Sequence, residues 1–341
     1  DGSCESIFTA VGDDKQRIMG WAGAMPEAFE RFQEAFDAER ISLISNWRSH
    51  QELVQIQQVI ARRINPDVED IEARKERSVA GDIAAIWEFT SRDEEATAIA
   101  AWVAQETGVD GLEPHDIALL VRMRADEVEE ELAPALARHG LRLRNEARDL
   151  GGIAIQDVLG EDLTEIFLLL LRLGASARSP ESWSKAQDYL HYLEGVDRSD
   201  EVQQQRVQEN LSKFVQRLRL EMNAQPPEAS NAEKLAELVL GFVSEDRLRQ
   251  AFSSYRRQVD FERVWNGFRE LFFDCADRSL NWSETLDEFV GLGQVPLMTI
   301  HKSKGLEFHT IIFLGLDNQS WWSLSPDRPD ELNTFFVAFT R

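Results

Sequence analysis

The sequence predicts an α/β fold: a parallel-sheet domain interrupted by an all-helical insertion. Three observations predict it. Strand and helix signals alternate from about residue 40 to 150, helices alone fill 151–290, and strand signals return at Val295. Alternation of the first kind implies a parallel sheet with crossover helices.

Residues 7–11 read as a first strand, and a short helix follows Pro26. Residues 41–44 and 83–89 are the next strand candidates. Residues 93–105 carry Ala96, Ile99, Ala100 and Val103 at helical spacing. Residues 117–121 are a continuous apolar run, a buried type of strand. Residues 127–139 read as a helix stopped by Gly140, residues 141–143 begin another strand, and Gly151-Gly152 breaks the pattern. In the helical block, 163–173 is strongly apolar, 202–220 is long and charged, and 256–274 is rich in aromatic residues. The clearest internal linker is 223–228, with Pro226-Pro227 at its centre. There is no internal repeat and no low-complexity tract.

Composition bounds the function. A chain of 341 residues with 43% hydrophobic residues suggests roughly two domains with sizeable cores. The longest apolar block, 98–104, is too short to span a bilayer, and no signal-peptide pattern opens the sequence. Cys4 and Cys275 form no metal pattern and no disulfide framework, which points to a reducing compartment and a cytoplasmic location. The net charge of −24 opposes a broad nucleic-acid surface, because phosphate contacts normally call for a basic patch. Any DNA contact is then confined to a narrow groove where positive groups concentrate.

The most informative segment is Thr299-Ile300-His301-Lys302-Ser303-Lys304-Gly305-Leu306-Glu307-Phe308. An apolar run precedes it and another follows. Polar and cationic groups therefore sit at a strand's carboxyl end, where open α/β sheets bind ligands. Gly305 allows a backbone turn that a side chain would obstruct. The string resembles motif V of the UvrD/Rep-type DNA helicases. Three further segments are similar to motifs of the same family, in its order. Residues 12–24, from Gly12 through Gln16 and Trp21 to Ala24, resemble motif III; Ser45-Asn46-Trp47-Arg48-Ser49 resembles motif IV; and 330–341, ending in Val337-Ala338-Phe339-Thr340-Arg341, resembles motif VI.

The resemblance implies the C-terminal part of a helicase. Residues 1–30 would be the tail of a first RecA-like domain. Residues 31–150 and 291–341 would form the second RecA-like domain (2A), and 151–290 a helical accessory subdomain (2B), with crossings near 150 and 293. An ATP-driven helicase also needs a P-loop, G-x-x-x-x-G-K-[ST]. No glycine here is followed by lysine, and no apolar strand ends in Asp-Glu to hold Mg²⁺. The chain thus reads as half of an ATPase site, cut at both ends and inactive alone.

Residue roles follow from that resemblance. Gln16 would sense the terminal phosphate of ATP or its attacking water. Trp21 would stack on a base of single-stranded DNA, or pack in a core. Met19 and Ala22 replace a usual tyrosine and arginine, losing one stacking partner and one phosphate contact. Arg48 and Arg341 would neutralise the charge of phosphoryl transfer. Trp47 would stack on adenine, and Glu307 would face the nucleotide sugar beside Gly305. Thr299 and His301 would lie between nucleotide and DNA, and Lys304 would touch a DNA phosphate or remain solvated. Trp321-Trp322 is open between base stacking, partner binding and packing. The arginines of the helical block are interspersed with acids and read as a solvated face.

The expected function is an ATP-dependent DNA helicase or translocase of 3′ to 5′ polarity in DNA repair, replication or recombination. Its cofactors would be ATP and Mg²⁺, the latter held mainly by the missing half. Its partners would be single-stranded DNA and duplex junctions, with a protein partner on the helical block. The competing reading is a non-catalytic binding module derived from a helicase, favoured by the acidity and the losses at 19 and 22.

Overall fold

The computed structural model describes residues 7–16, 25, 27–76, 81–176, 178–197, 199–325 and 328–340. Along the chain, α1 (Ala28–Phe36) precedes β1 (Ser45–His50), α2 (Gln51–Ile64), β2 (Glu72–Lys75) and α3 (Arg92–Glu106). Next come β3 (Ile117–Val121), α4 (Ala125–Ala137) and β4 (Arg142–Asn145). A run of helices follows: α5 (Ile155–Leu159), α6 (Asp162–Ala175), α7 (Pro180–Glu194), α8 (Glu201–Ala224), α9 (Ala229–Val243), α10 (Glu245–Ala251), α11 (Gln258–Ala276) and α12 (Trp282–Phe289). Then come β5 (Gln294–Thr299), β6 (Thr310–Phe313) and α13 (Pro329–Phe339). The pairs β1–β2, β3–β6 and β4–β5 are all parallel. The architecture is mixed α/β with parallel strands and a long all-helical stretch.

Three strand expectations are corrected. Residues 7–11 and 83–89 pair with no strand among the described residues. Ile7 is 92% exposed and Ile86 91%, so both stretches leave much of their apolar surface open. The strand expected at 41–44 begins later, at Ser45; only the Ile44 carbonyl is engaged, accepting from the Glu72 N–H at 2.9 Å. Among the described residues no helix is long and apolar enough to cross a membrane.

The chain divides into two compact units. The first comprises 1–99, 117–125 and 298–341. Here β3 is buried along its whole length, as its unbroken apolar sequence demands, and it lies in register with β6 from Ile117↔Thr310 to Leu120↔Phe313. Its core gathers Ala118, Leu120, Met298, Ile300, Trp321 and Ala338, with Phe313 and Phe335 packed against it. Helix α2 buries Val54, Gln57, Gln58 and Ala61. Helix α1 buries nothing, although Phe32 and Phe36 meet ring to ring at 4.7 Å.

The second unit, 100–116 and 126–297, contains the helical core. Its centre is aromatic: Phe268 is wholly buried, 5.1 Å from the Phe167 ring and 5.2 Å from Phe289. Asp200 and Asn281 cap α8 and α12, accepting from the N–H groups of Gln203 and Glu284. Pro226-Pro227 proves to be a tight connection rather than a linker. The helices on either side, α8 and α9, share one core, and the Trp282 indole donates to the Gln225 carbonyl at 2.9 Å. Near 150 the Asp149 carboxylate accepts from the Gly152 N–H, and Gly151 and Gly152 take φ of 68° and 103°. Near 293, Gly291 (φ 81°) sits against Arg144, whose guanidinium donates to the Glu288 carbonyl at 2.9 Å and pairs with Glu146 at 3.0 Å. Burial raises the Glu146 carboxyl above its usual range, with Arg144 opposing the shift.

Helices α6 and α8 meet at Gly174, where an added Cβ would stand 2.5 Å from the Met222 sulfur and 2.8 Å from the Leu218 Cγ. Gly174→Val should therefore lower stability by about 1–3 kcal/mol through overpacking. Denaturant midpoints of the two proteins check this, and an unchanged midpoint refutes the close approach.

Candidate functional site

The loop between β5 and β6 turns in two steps. A 3-10 turn, Ile300–Ser303, follows Thr299 at the strand end, with Ile300 buried and the Ser303 hydroxyl donating to the Ile300 carbonyl at 2.8 Å. Gly305 then reverses the chain at φ 92°, a conformation that a side chain would strain. This turn projects Lys304 and Glu307 outward, both exposed.

Glu307 forms an ion pair with Arg48 within β1. Arg48 also donates to the carbonyl of Thr340, just past α13, at 3.2 Å. Lys304 donates to the backbone carbonyl of Gln16 at 3.1 Å. Segments far apart in sequence thus converge in the first unit. Asn46 shapes the approach to Arg48: its side-chain oxygen accepts the N–H groups of Arg48 and Ser49 at 2.9 and 2.8 Å. The β1–β2 register shifts between Asn46 and His50. Such a bulge relaxes the strict alternation that would send adjacent side chains to opposite faces. Trp47 beside it is 76% exposed, leaving an indole face open to solvent. The Gln16 amide donates to the Asp13 carboxylate at 3.1 Å, and Asp13 also pairs with Lys15 at 2.6 Å.

A second cluster lies in the same unit and escaped the sequence. Arg122, one residue past β3, donates to both carboxylate oxygens of Glu331 on α13, at 3.2 and 2.6 Å. The Trp321 indole donates to the same carboxylate at 2.9 Å. These donors outweigh desolvation and hold the Glu331 carboxyl below its usual range. Partial desolvation, with the nearby Arg122 charge adding to it and Glu331 opposing, holds the His301 imidazole below its ordinary pKa. His301 is therefore a neutral donor–acceptor at neutral pH. The tryptophan pair separates by role. Trp321 is buried and meets Phe335 edge-on at 5.5 Å, whereas Trp322 is 64% exposed under the Arg328 guanidinium.

The structure thus brings Arg48, Glu307 and the Thr340 carbonyl together, links Lys304 to Gln16, and leaves Trp47 open beside them. Thr299 and Gly305 frame the turn. Trp21 and Arg341, with Met19 and Ala22, lie outside the described residues. Cys275 is free and buried, and desolvation, with Glu288 adding to it, pushes its thiol up to about 12, which makes it a core residue rather than a reactive one. Among the described residues no cluster of His, Cys, Asp and Glu is arranged to hold a metal. The Arg122–Glu331 contact left one trace in the sequence, an arginine directly after a wholly apolar strand.

No curated protein matches this chain. Residues 181–341 match the UvrD-like helicase C-terminal domain family. That stretch contains the turn at 299–308 and helix α13, and it extends back through most of the helical block. Residues 181–341 are therefore similar to the UvrD-like helicase C-terminal domain.

Proposed function

We propose that this chain is the C-terminal part of an ATP-dependent DNA helicase or translocase, with residues 31–150 and 291–341 forming a RecA-like domain and 151–290 a helical accessory subdomain. The observation that carries the reading is the meeting of Arg48, Glu307 and the Thr340 carbonyl beside an exposed Trp47. This donor set fits a purine nucleotide: a planar cation for phosphate, a carboxylate for sugar hydroxyls and an open indole face for a base. ATP, with Mg²⁺, supplies the phosphoryl group whose transfer drives the cycle. Arg48 neutralises phosphate charge, Trp47 orients the base and Glu307 holds the sugar. Arg341 follows Thr340 directly in sequence and would add a second cation. Gln16, whose backbone Lys304 holds, would sense the terminal phosphate.

DNA would pass the other side of the turn. Thr299, neutral His301 and Lys304 offer hydroxyl, imidazole and ammonium groups to a sugar–phosphate backbone, and Trp21 a stacking face. Movement in the 3′ to 5′ direction in DNA repair, replication or recombination is the activity this arrangement would serve. A strand held by so few cations on a chain of charge −24 should bind weakly outside the closed complex.

The base-stacking role gives the direct test. In the protein that joins this chain to a P-loop domain, Trp47→Ala should weaken ATP binding by about 1–3 kcal/mol, the range of base–aromatic stacking. DNA-stimulated turnover measured against ATP concentration would show a raised KM at nearly constant kcat. An unchanged KM removes Trp47 from the site and leaves the nucleotide reading without its base contact.

A further inference from the structure

We propose that Arg122 and Glu331 are positioning residues: by bracing the first turn of α13 they aim its far end at Arg48. The inference rests on the nucleotide reading of Arg48 and extends it to residues that touch no nucleotide. Three observations carry it.

First, the contact is built for orientation. Arg122 engages Glu331 through two nitrogens, Nε at 3.2 Å and Nη2 at 2.6 Å, and the Trp321 Nε1–H adds a third donor at 2.9 Å. A bidentate guanidinium fixes angle as well as distance. The side chains of Arg122 and Glu331 are only 16% and 19% exposed, unlike the open Arg48–Glu307 pair at 47% and 58%. A pair this sheltered is disrupted strongly when one partner is removed, because the other keeps its charge without compensation.

Second, the brace joins a rigid strand to a helix end. Arg122 directly follows β3, whose five residues are all buried. Glu331 lies in the first turn of α13, where a carboxylate also suits the helix dipole. Third, the opposite end of α13 is where Arg48 binds, through the Thr340 carbonyl at 3.2 Å. Nine residues of helical rise separate Glu331 from Thr340, about 13 Å. The helix body is packed as well, with Phe336, Val337 and Ala338 buried and Phe335 and Phe339 at 5.5 and 6.3 Å from Phe313 of β6, but these are largely apolar contacts. Ring contacts allow sliding and rotation that a forked ion pair does not. Loss of the pair lets α13 tilt, and the displacement is read at Thr340.

The test uses Arg122→Met, Glu331→Gln and Arg122→Lys. In this chain, hydrogen exchange across Pro329–Thr340 should rise at least tenfold in the first two variants, while protection of the helical core stays unchanged. The His301 ring resonances should titrate at higher pH in Arg122→Met and at lower pH in Glu331→Gln, which shows that the charges act where they are placed. In the protein that includes a P-loop domain, both variants should lower kcat about tenfold with the ATP KM within twofold, and Arg122→Lys should recover part of the loss. Unchanged exchange in α13 overturns the proposal. So does faster exchange with an unchanged kcat when Arg48→Ala, run beside it, does slow turnover. If Arg48→Ala itself leaves turnover intact, the nucleotide reading of Arg48 has failed, and the aiming of α13 falls with its target. The exchange and titration data then still decide whether the brace itself exists.

Discussion

Phe268→Ala should destabilise the second unit by about 3–5 kcal/mol, the range for removing a large buried ring. Phe268 has no exposed surface and stands among the rings of Phe167, Trp265, Phe272 and Phe289, at 5.1, 6.1, 5.6 and 5.2 Å. The upper part of the range is expected because the site cannot collapse. The preceding residue, Gly267, already packs so tightly that an added Cβ would stand 2.5 Å from Ile153 Cγ2 and 3.0 Å from Val158 Cγ2. Helix α11 therefore cannot move inward to fill the space. Phe268→Leu keeps much of the volume and should cost about half as much. Trp265, its ring stacked 6.1 Å from that of Phe268 between centroids, reports unfolding of this unit by its fluorescence. A loss below about 1.5 kcal/mol would mean that the ring contacts do not form one packed centre.

Much of the fold is legible in sequence where burial and period agree. The helix expected at 93–105 is α3, Arg92–Glu106, and the apolar run 117–121 is β3 to the residue. The change to helices alone after Gly151-Gly152 is likewise present in α5 to α12. Failures fall where a strand needs a partner. Residues 7–11 and 83–89 have strand-like composition, but a strand exists only through its partner, and none pairs with them among the described residues. Pro226-Pro227 misled for a different reason. Consecutive prolines end helices, which is a local effect, and they say nothing about whether the helices on either side share a core. The shared core of α8 and α9 is a long-range fact.

The candidate site shows the same division. The family-like strings identify Arg48, Glu307, Lys304 and Gln16 one by one, and the structure adds which of them touch. The Arg122–Glu331–Trp321 contact was not legible, because its members lie 209 residues apart at the extremes and only Glu331 falls within a family-like string. Glu331 entered only as one position of the 330–341 segment, with no role of its own, and Trp321 only as half of a tryptophan pair. Chemistry of that kind becomes visible when the sheet places a strand end beside a helix start.

On the proposed nucleotide reading, Arg48→Ala in a protein that joins this chain to a P-loop domain should lower DNA-stimulated kcat by about 10³–10⁵, the range of arginines that stabilise phosphoryl transfer. Nucleotide affinity should change far less, because charge on the transferring group grows toward the transition state and the interaction strengthens with it. Arg48→Lys keeps the charge but loses the planar fork that meets both the Glu307 carboxylate and the Thr340 carbonyl, so it should recover little. Arg341→Ala should show the same division between turnover and binding. The pair Arg48→Ala/Arg341→Ala should cost less than the product of the single losses, since residues that act as one unit are not additive. Glu307→Ala gives the contrast: loss of the proposed sugar contact, alike in ground and transition states, should raise the KM and leave kcat nearly unchanged. Turnover and nucleotide affinity measured together separate these outcomes. A loss in Arg48→Ala confined to affinity would assign it to ground-state binding alone, and no loss at all would return it to a surface ion pair with Glu307, worth about 0–1 kcal/mol.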